Sequence, residues 1–150
     1  MSNTNVPMFT AAVKTAAAVS SAGSAWTPSS STTTNLISLV TAGSNGSRVT
    51  SLILSTTDTS ANNVYLVLNA GGAGGVLSII GQVNVPIGAG TVASTLSVDA
   101  LLSTTVVGLP IDNNGKRYIH MQASDVLYFG TIASVTSGKI LFATAMYENY

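Results

Sequence analysis

Residues 64–80 read Val64-Tyr65-Leu66-Val67-Leu68-Asn69-Ala70-Gly71-Gly72-Ala73-Gly74-Gly75-Val76-Leu77-Ser78-Ile79-Ile80. Two runs rich in β-branched and aromatic residues flank a glycine-rich segment that tolerates positive φ. Each run has the length of a strand rather than of a helix. The unit therefore predicts strand, loop, strand. Similar runs occupy 36–40, 49–54, 92–96, 118–121, 126–129 and 140–146, with turn signals between them at Asn45-Gly46, Gly88-Ala89-Gly90, Asn113-Asn114-Gly115 and Ser137-Gly138. Only Asp99-Ala100-Leu101-Leu102 reads as a helical turn, with Asp99 as its cap. Seven to eight short strands with frequent turns predict an all-β domain, an antiparallel β-sandwich of jelly-roll-like type with an extended N-terminal arm. The arm is assigned to residues 1–33 and the sandwich to 34–150. Run 64–68 is apolar on both faces, whereas the outer face of an antiparallel sandwich is normally polar. That outer face is expected to be covered, by an oligomer neighbour or by the arm.

Composition narrows the function classes. The 150 residues carry five basic and five acidic side chains, a formal net charge of zero, and no cysteine. Charged residues make up 7% of the chain, against roughly 25% in an ordinary soluble domain. No basic field is present to grip a phosphate backbone, so no nucleic-acid partner is expected. Disulfides and thiolate metal sites are excluded. With 46% hydrophobic residues, the chain does not resemble a disordered one. A membrane span needs about 20 consecutive apolar residues, and Ser, Thr, Asn or Gly interrupts every run well before that, so no membrane partner is expected. Residues 11–25 are mostly Ala and Ser with Lys14 as the only early charge, which does not fit a secretory signal. A surface so poor in charge lacks the usual protection against self-association. Contact with neighbours in an assembly, or a Ser/Thr-rich adhesive role, would account for it.

No constellation of catalytic residues is legible. The single histidine, His120, has Ser124 and Asp125 near it in sequence, but a triad is defined by geometry, and no G-x-S-x-G elbow is present. In a strand over 118–122, Tyr118, His120 and Gln122 share the wetter face and Ile119 and Met121 the other. His120 is thus expected to face solvent or another subunit. Asp58, Asp112 and Asp125 are expected to form caps or Asx turns. Asp112-Asn113-Asn114-Gly115 opens like a calcium loop but lacks the required Glu, and a hairpin turn explains it. The glycines at 71–75 precede a strand-like run instead of a helix, which removes the phosphate-cradle reading. Asn45-Gly46-Ser47 matches a glycosylation acceptor, yet Asn-Gly is sufficiently explained as a hairpin turn. Tyr65, Tyr128, Phe129, Phe142 and Tyr147 are expected to pack in the core or at an interface. The protein is therefore expected to be non-enzymatic, with no catalytic residue, cofactor or metal ligand.

Two stretches carry a resemblance. Thr34-Asn35-Leu36-Ile37-Ser38-Leu39-Val40-Thr41-Ala42-Gly43-Ser44-Asn45-Gly46-Ser47-Arg48-Val49 resembles a strand–turn–strand opening in small virion proteins of tailed bacteriophages, where a run of the type TAGxNGxRI is common. The second runs from Leu109-Pro110-Ile111-Asp112 through Gly115-Lys116-Arg117-Tyr118-Ile119 to Asp125-Val126-Leu127-Tyr128-Phe129-Gly130, then Gly138-Lys139 and a closing strand. It is similar to the C-terminal half of the same family. The ending Glu148-Asn149-Tyr150 and the Ala/Ser-rich first 30 residues depart from the family pattern. The resemblance implies a structural protein of the virion on the capsid exterior, made in the host cytoplasm. It would bind the major capsid protein and copies of itself, as a homotrimer, and stabilise the shell. On this reading Phe9, Val13, Val19 and Trp26 of the arm are interface residues extended over a neighbour. Lys116, Arg117 and Lys139 are rim charges that guide docking. The competing expectations are a tail, connector or fibre-base component, and a carbohydrate-binding adhesive module that uses Ser/Thr/Asn loops and tyrosines.

Overall fold

The computed structural model describes residues 13–21, 25–103, 105–106 and 108–150. They form nine strands: β1 (Lys14–Ser21), β2 (Ile37–Thr41), β3 (Ser47–Thr56), β4 (Asn62–Ala70), β5 (Val76–Val85), β6 (Val98–Asp99), β7 (Ile119–Met121), β8 (Val126–Thr131) and β9 (Ile140–Asn149). One sheet has the order β1-β9-β3, with β6 and β7 both along the far edge of β3; the other has the order β2-β8-β4-β5. Every named pairing is antiparallel. Among the described residues, only β4 and β5 are consecutive strands that pair with each other, so the chain otherwise wraps between sheets or skips a neighbour. That winding is a jelly roll.

Alternation along the long strands builds the core. Val49, Leu52 and Leu54 of β3 and Leu141, Ala143 and Ala145 of β9 point inward and are fully buried. They meet Val64 and Leu66 of β4, Leu127 and Phe129 of β8, and Val83 and Val85 of β5 in one cluster between the sheets. The loop at 71–75 closes the β4–β5 hairpin, with Gly71, Gly72 and Gly74 at positive φ. The expected helical turn is a single 3-10 turn, Ala100–Leu102, whose N-cap Asp99 accepts a hydrogen bond from the Leu101 N–H.

Three features differ from the sequence reading. Segment 92–96, expected as a strand, is a tight turn bridged only by Val92 and Thr95, and Leu96 is 84% exposed. Gly88 and Gly90 at positive φ bend it back on itself, and it lies against no strand ladder. The short β6 arises only from pairing with Leu54 and Ile53 of β3.

The third difference concerns the arm. Residues 14–21, low in β propensity, form an eight-residue edge strand in continuous register with β9, from Lys14 opposite Tyr147 to Ser21 opposite Ile140. Ala16 and Ala18 pack against the main core. Among the described residues, part of the segment assigned to the arm, Lys14–Ser21, is thus a strand of the sandwich. Beyond it, Trp26 is 3% exposed and packs with Val67 and Leu77 on the outer face of the second sheet, flanked by Leu36, Tyr65 and Tyr128. Its backbone N–H donates to Thr131 O and its indole N–H to Thr32 O, both at 3.0 Å. The doubly apolar β4 is therefore covered by this chain's own segment 25–36.

Gly130 makes that cover possible. A Cβ there would lie 2.7 Å from Leu36 Cδ2 and 3.1 Å from Trp26 Cβ, and glycine within a strand often marks such a close approach. Gly130→Ala is expected to cost about 1–2 kcal/mol by overpacking, measured by urea unfolding. An unchanged midpoint would mean that the segment yields without strain.

Candidate functional site

The interface candidates scatter. Phe9 lies outside the described residues. Val13 is exposed just before β1, and Val19 is 53% exposed on the outward face of β1. Trp26 is buried, a correction to its assignment as an interface residue: its ring is taken up by Tyr65, edge-on at 5.4 Å between centroids, and by Val67 and Leu77. Lys139 sits in the turn before β9, whereas Lys116 and Arg117 adjoin Glu148 at the far end of that strand. Ten strand residues span about 30 Å, so the three basic residues do not form one patch.

A different grouping emerges at that far end. Glu148 of β9, Arg48 of β3 and His120 of β7 stand abreast by strand register. The Arg48 Nη2 donates to Glu148 Oε2 at 3.2 Å. The Arg48 guanidinium lies 5.4 Å from the Tyr118 ring centroid, within cation–π range. Tyr150, anchored by its N–H to Gly46 O, sets its ring 5.8 Å from that of His120, and its hydroxyl reaches His120 Nδ1 at 3.5 Å. Burial pushes the Tyr150 phenol above its ordinary value; Arg48 opposes this, and Tyr118 and Glu148 reinforce it.

Two clefts open on this cluster and share Tyr118. One, of about 540 Å³, is lined by Asn45, Tyr118, His120 and Tyr150. The other, of about 330 Å³, takes in Arg48, Asp112, Lys116, Arg117 and Glu148. Half of the chain's charged side chains thus line a single cleft, in a protein that has only five of each sign. The hairpin beside it is built by Asp112, whose Oδ1 accepts from the N–H groups of Asn114 and Lys116 while Gly115 takes φ +78°. Arg117 is held by donating to Ser103 O and Val106 O.

His120 does not meet its sequence neighbours. Asp125 is buried and accepts from Gly71 N–H through Oδ1 and from Gln122 N–H through Oδ2. Among the described residues, no three His, Asp or Glu side chains gather closely enough to hold a metal ion, and no helix is long and apolar enough to cross a membrane. The cleft itself was hidden in the sequence. Arg48 and Glu148 are 100 residues apart, and only the β3–β9 register unites them. No protein-family model matches the chain, and no curated protein is significantly similar to it.

Proposed function

We propose that the protein is a structural component of a tailed-phage particle, seated on the capsid exterior and held by the major capsid protein and by copies of itself in a homotrimer. The jelly roll serves capsid and lectin domains alike, so the fold does not choose between functions. The observation that carries the reading is the outward face of β1, β9 and β3. Running away from the end of the sheet that holds Lys14 and the Arg48–Glu148 pair, it presents Thr15, Ala17, Val19, Phe142, Thr144, Met146, Ser51 and Ile53, without a charge. Val19 and Met146 are about half exposed there. The outer edge of β1 has no partner among the described residues, and apart from Lys14 it lacks the charges and prolines that normally blunt an edge strand. A face of this kind suits burial against neighbours, which is worth about 25 cal/mol per Å² of apolar surface before the costs of association.

The test adds purified protein to capsids that lack it. Ordered density at symmetric capsid positions is expected, and light scattering should give three times the 15.1 kDa chain mass. The double substitution Ala17→Glu with Val19→Asp is expected to lower capsid occupancy at least about tenfold, equivalent to about 1.4 kcal/mol, with the circular dichroism spectrum unchanged. Absence of capsid density, or full occupancy by the double variant, would overturn the reading.

A further inference from the structure

We propose that the paired clefts around Tyr118 form a binding site for a saccharide that carries a carboxylate. Their volumes, about 540 and 330 Å³, fall in the range of roughly 300–1,000 Å³ typical of small-molecule sites. The larger cleft is walled by two tyrosines and a histidine with one amide, Asn45. Aromatic rings offer apolar faces with polar tips, the surface on which the C–H face of a sugar ring packs. The smaller cleft adds planar polar groups, Asn114, Asp112 and the Arg48–Glu148 pair, suited to neighbouring hydroxyls. Tyr118 lines both clefts, so sugar units in the two would flank the same ring.

The charge balance selects the acidic sugar. Both carboxylates are already engaged, Glu148 by Arg48 and Asp112 by the backbone of its own turn. Lys116 has no ion-pair partner among the described residues and is exposed at the rim. With three cations against two committed anions, the site favours one added negative charge. Three cations are too few for a nucleic-acid backbone, whose affinity depends on neutralising many phosphates.

This inference does not rest on capsid binding, and its test uses the full chain alone. Titrations followed by saturation-transfer NMR would compare glucuronic acid, N-acetylneuraminic acid and an acidic oligosaccharide with glucose. Binding in the millimolar range or tighter is expected for the acidic sugars, with glucose at least about tenfold weaker. Tyr118→Ala and Lys116→Ala are each expected to weaken binding about tenfold, while Tyr128→Ala, on the other sheet, leaves it unchanged. Lys116 is exposed, so its variant reads out binding even if Tyr118→Ala perturbs the fold. No binding of acidic sugars up to about 10 mM, equal binding of glucose, insensitivity to Lys116→Ala, or equally tight binding of an acidic peptide would each overturn the proposal.

Discussion

Asp58→Ala is expected to destabilise the protein by about 3–5 kcal/mol, because one substitution removes several buried hydrogen bonds to a charged group. Asp58 is 1% exposed in the β3–β4 loop. Its Oδ1 accepts from Ser60 N–H, and its Oδ2 from Asn62 Nδ2 and Thr136 N–H, all at 3.0–3.1 Å. Its own carbonyl takes the Gly88 N–H at 3.1 Å. One side chain thus ties its own loop to the β8–β9 loop, and its backbone adds the turn after β5. Removing the carboxylate strands buried donors, each costing about 1–3 kcal/mol when unmatched. In a domain of this size each kcal/mol lowers Tm by about 2–4 °C, so a fall of about 10 °C is expected by calorimetry. A loss under about 1 kcal/mol would mean that water replaces the carboxylate.

The same group makes stability depend on pH. Burial opposes ionisation of Asp58, but hydrogen bonds from Thr136, Asn62 and Ser60 outweigh it and hold the carboxyl well below the ordinary carboxylate range. A depressed folded-state value contributes stability that is fully present above the unfolded value of about 3.9 and is lost as pH falls toward the folded one. Wild-type stability should therefore decline below about pH 5. Asp58→Asn, which keeps the shape but sets an NH₂ against a donor, should show a shallower decline. The gap between the two should narrow from pH 7 to pH 3, and a constant gap would assign the acid sensitivity to another group.

Trp26→Ala is expected to cost about 3 kcal/mol, the lower end for deleting a buried tryptophan, because its cluster is a satellite outside the main core. The loss uncovers Val67 and Leu77 on the outer face of the second sheet, so dye binding and aggregation should rise with it. Trp26→Phe keeps a ring against Tyr65 but loses the bond to Thr32 O, costing about 1 kcal/mol. Trp26 is the only tryptophan in the chain, so its fluorescence reports this segment alone. Fluorescence and circular dichroism should report one unfolding transition, since Trp26 N–H bonds to Thr131 and the segment lies on Gly130. An earlier fluorescence transition would show that segment 25–36 detaches on its own.

These residues also mark what the sequence could reveal. Asp58 and Asp112 were legible as turn-formers because an Asx turn uses backbone N–H groups two to four residues further on, and both make such bonds; Asp125 instead accepts from Gln122 N–H, three residues before it, and from the distant Gly71 N–H. The faces of β7 were legible from alternation: Ile119 and Met121 are buried and His120 is exposed. Trp26 was misplaced because its partners, Val67 and Leu77, are more than 40 residues away. The candidate cleft depended on the same kind of distant meeting, with Arg48, Tyr118 and Tyr150 drawn from three separate parts of the chain.

By itself the sequence determined the all-β class, most strand positions, the capped turn at Asp99 and a surface nearly without charge. All of these are set by propensity, period-two alternation and turn chemistry within a few residues. Only the tertiary structure decided that residues 14–21 form an edge strand, that segment 25–36 covers β4, and that half of the charges line one cleft. In a jelly roll, strands adjacent in space are mostly distant in sequence. Their pairing is set by which long-range burial and register satisfy the whole core at once, and no local pattern of residues encodes that choice.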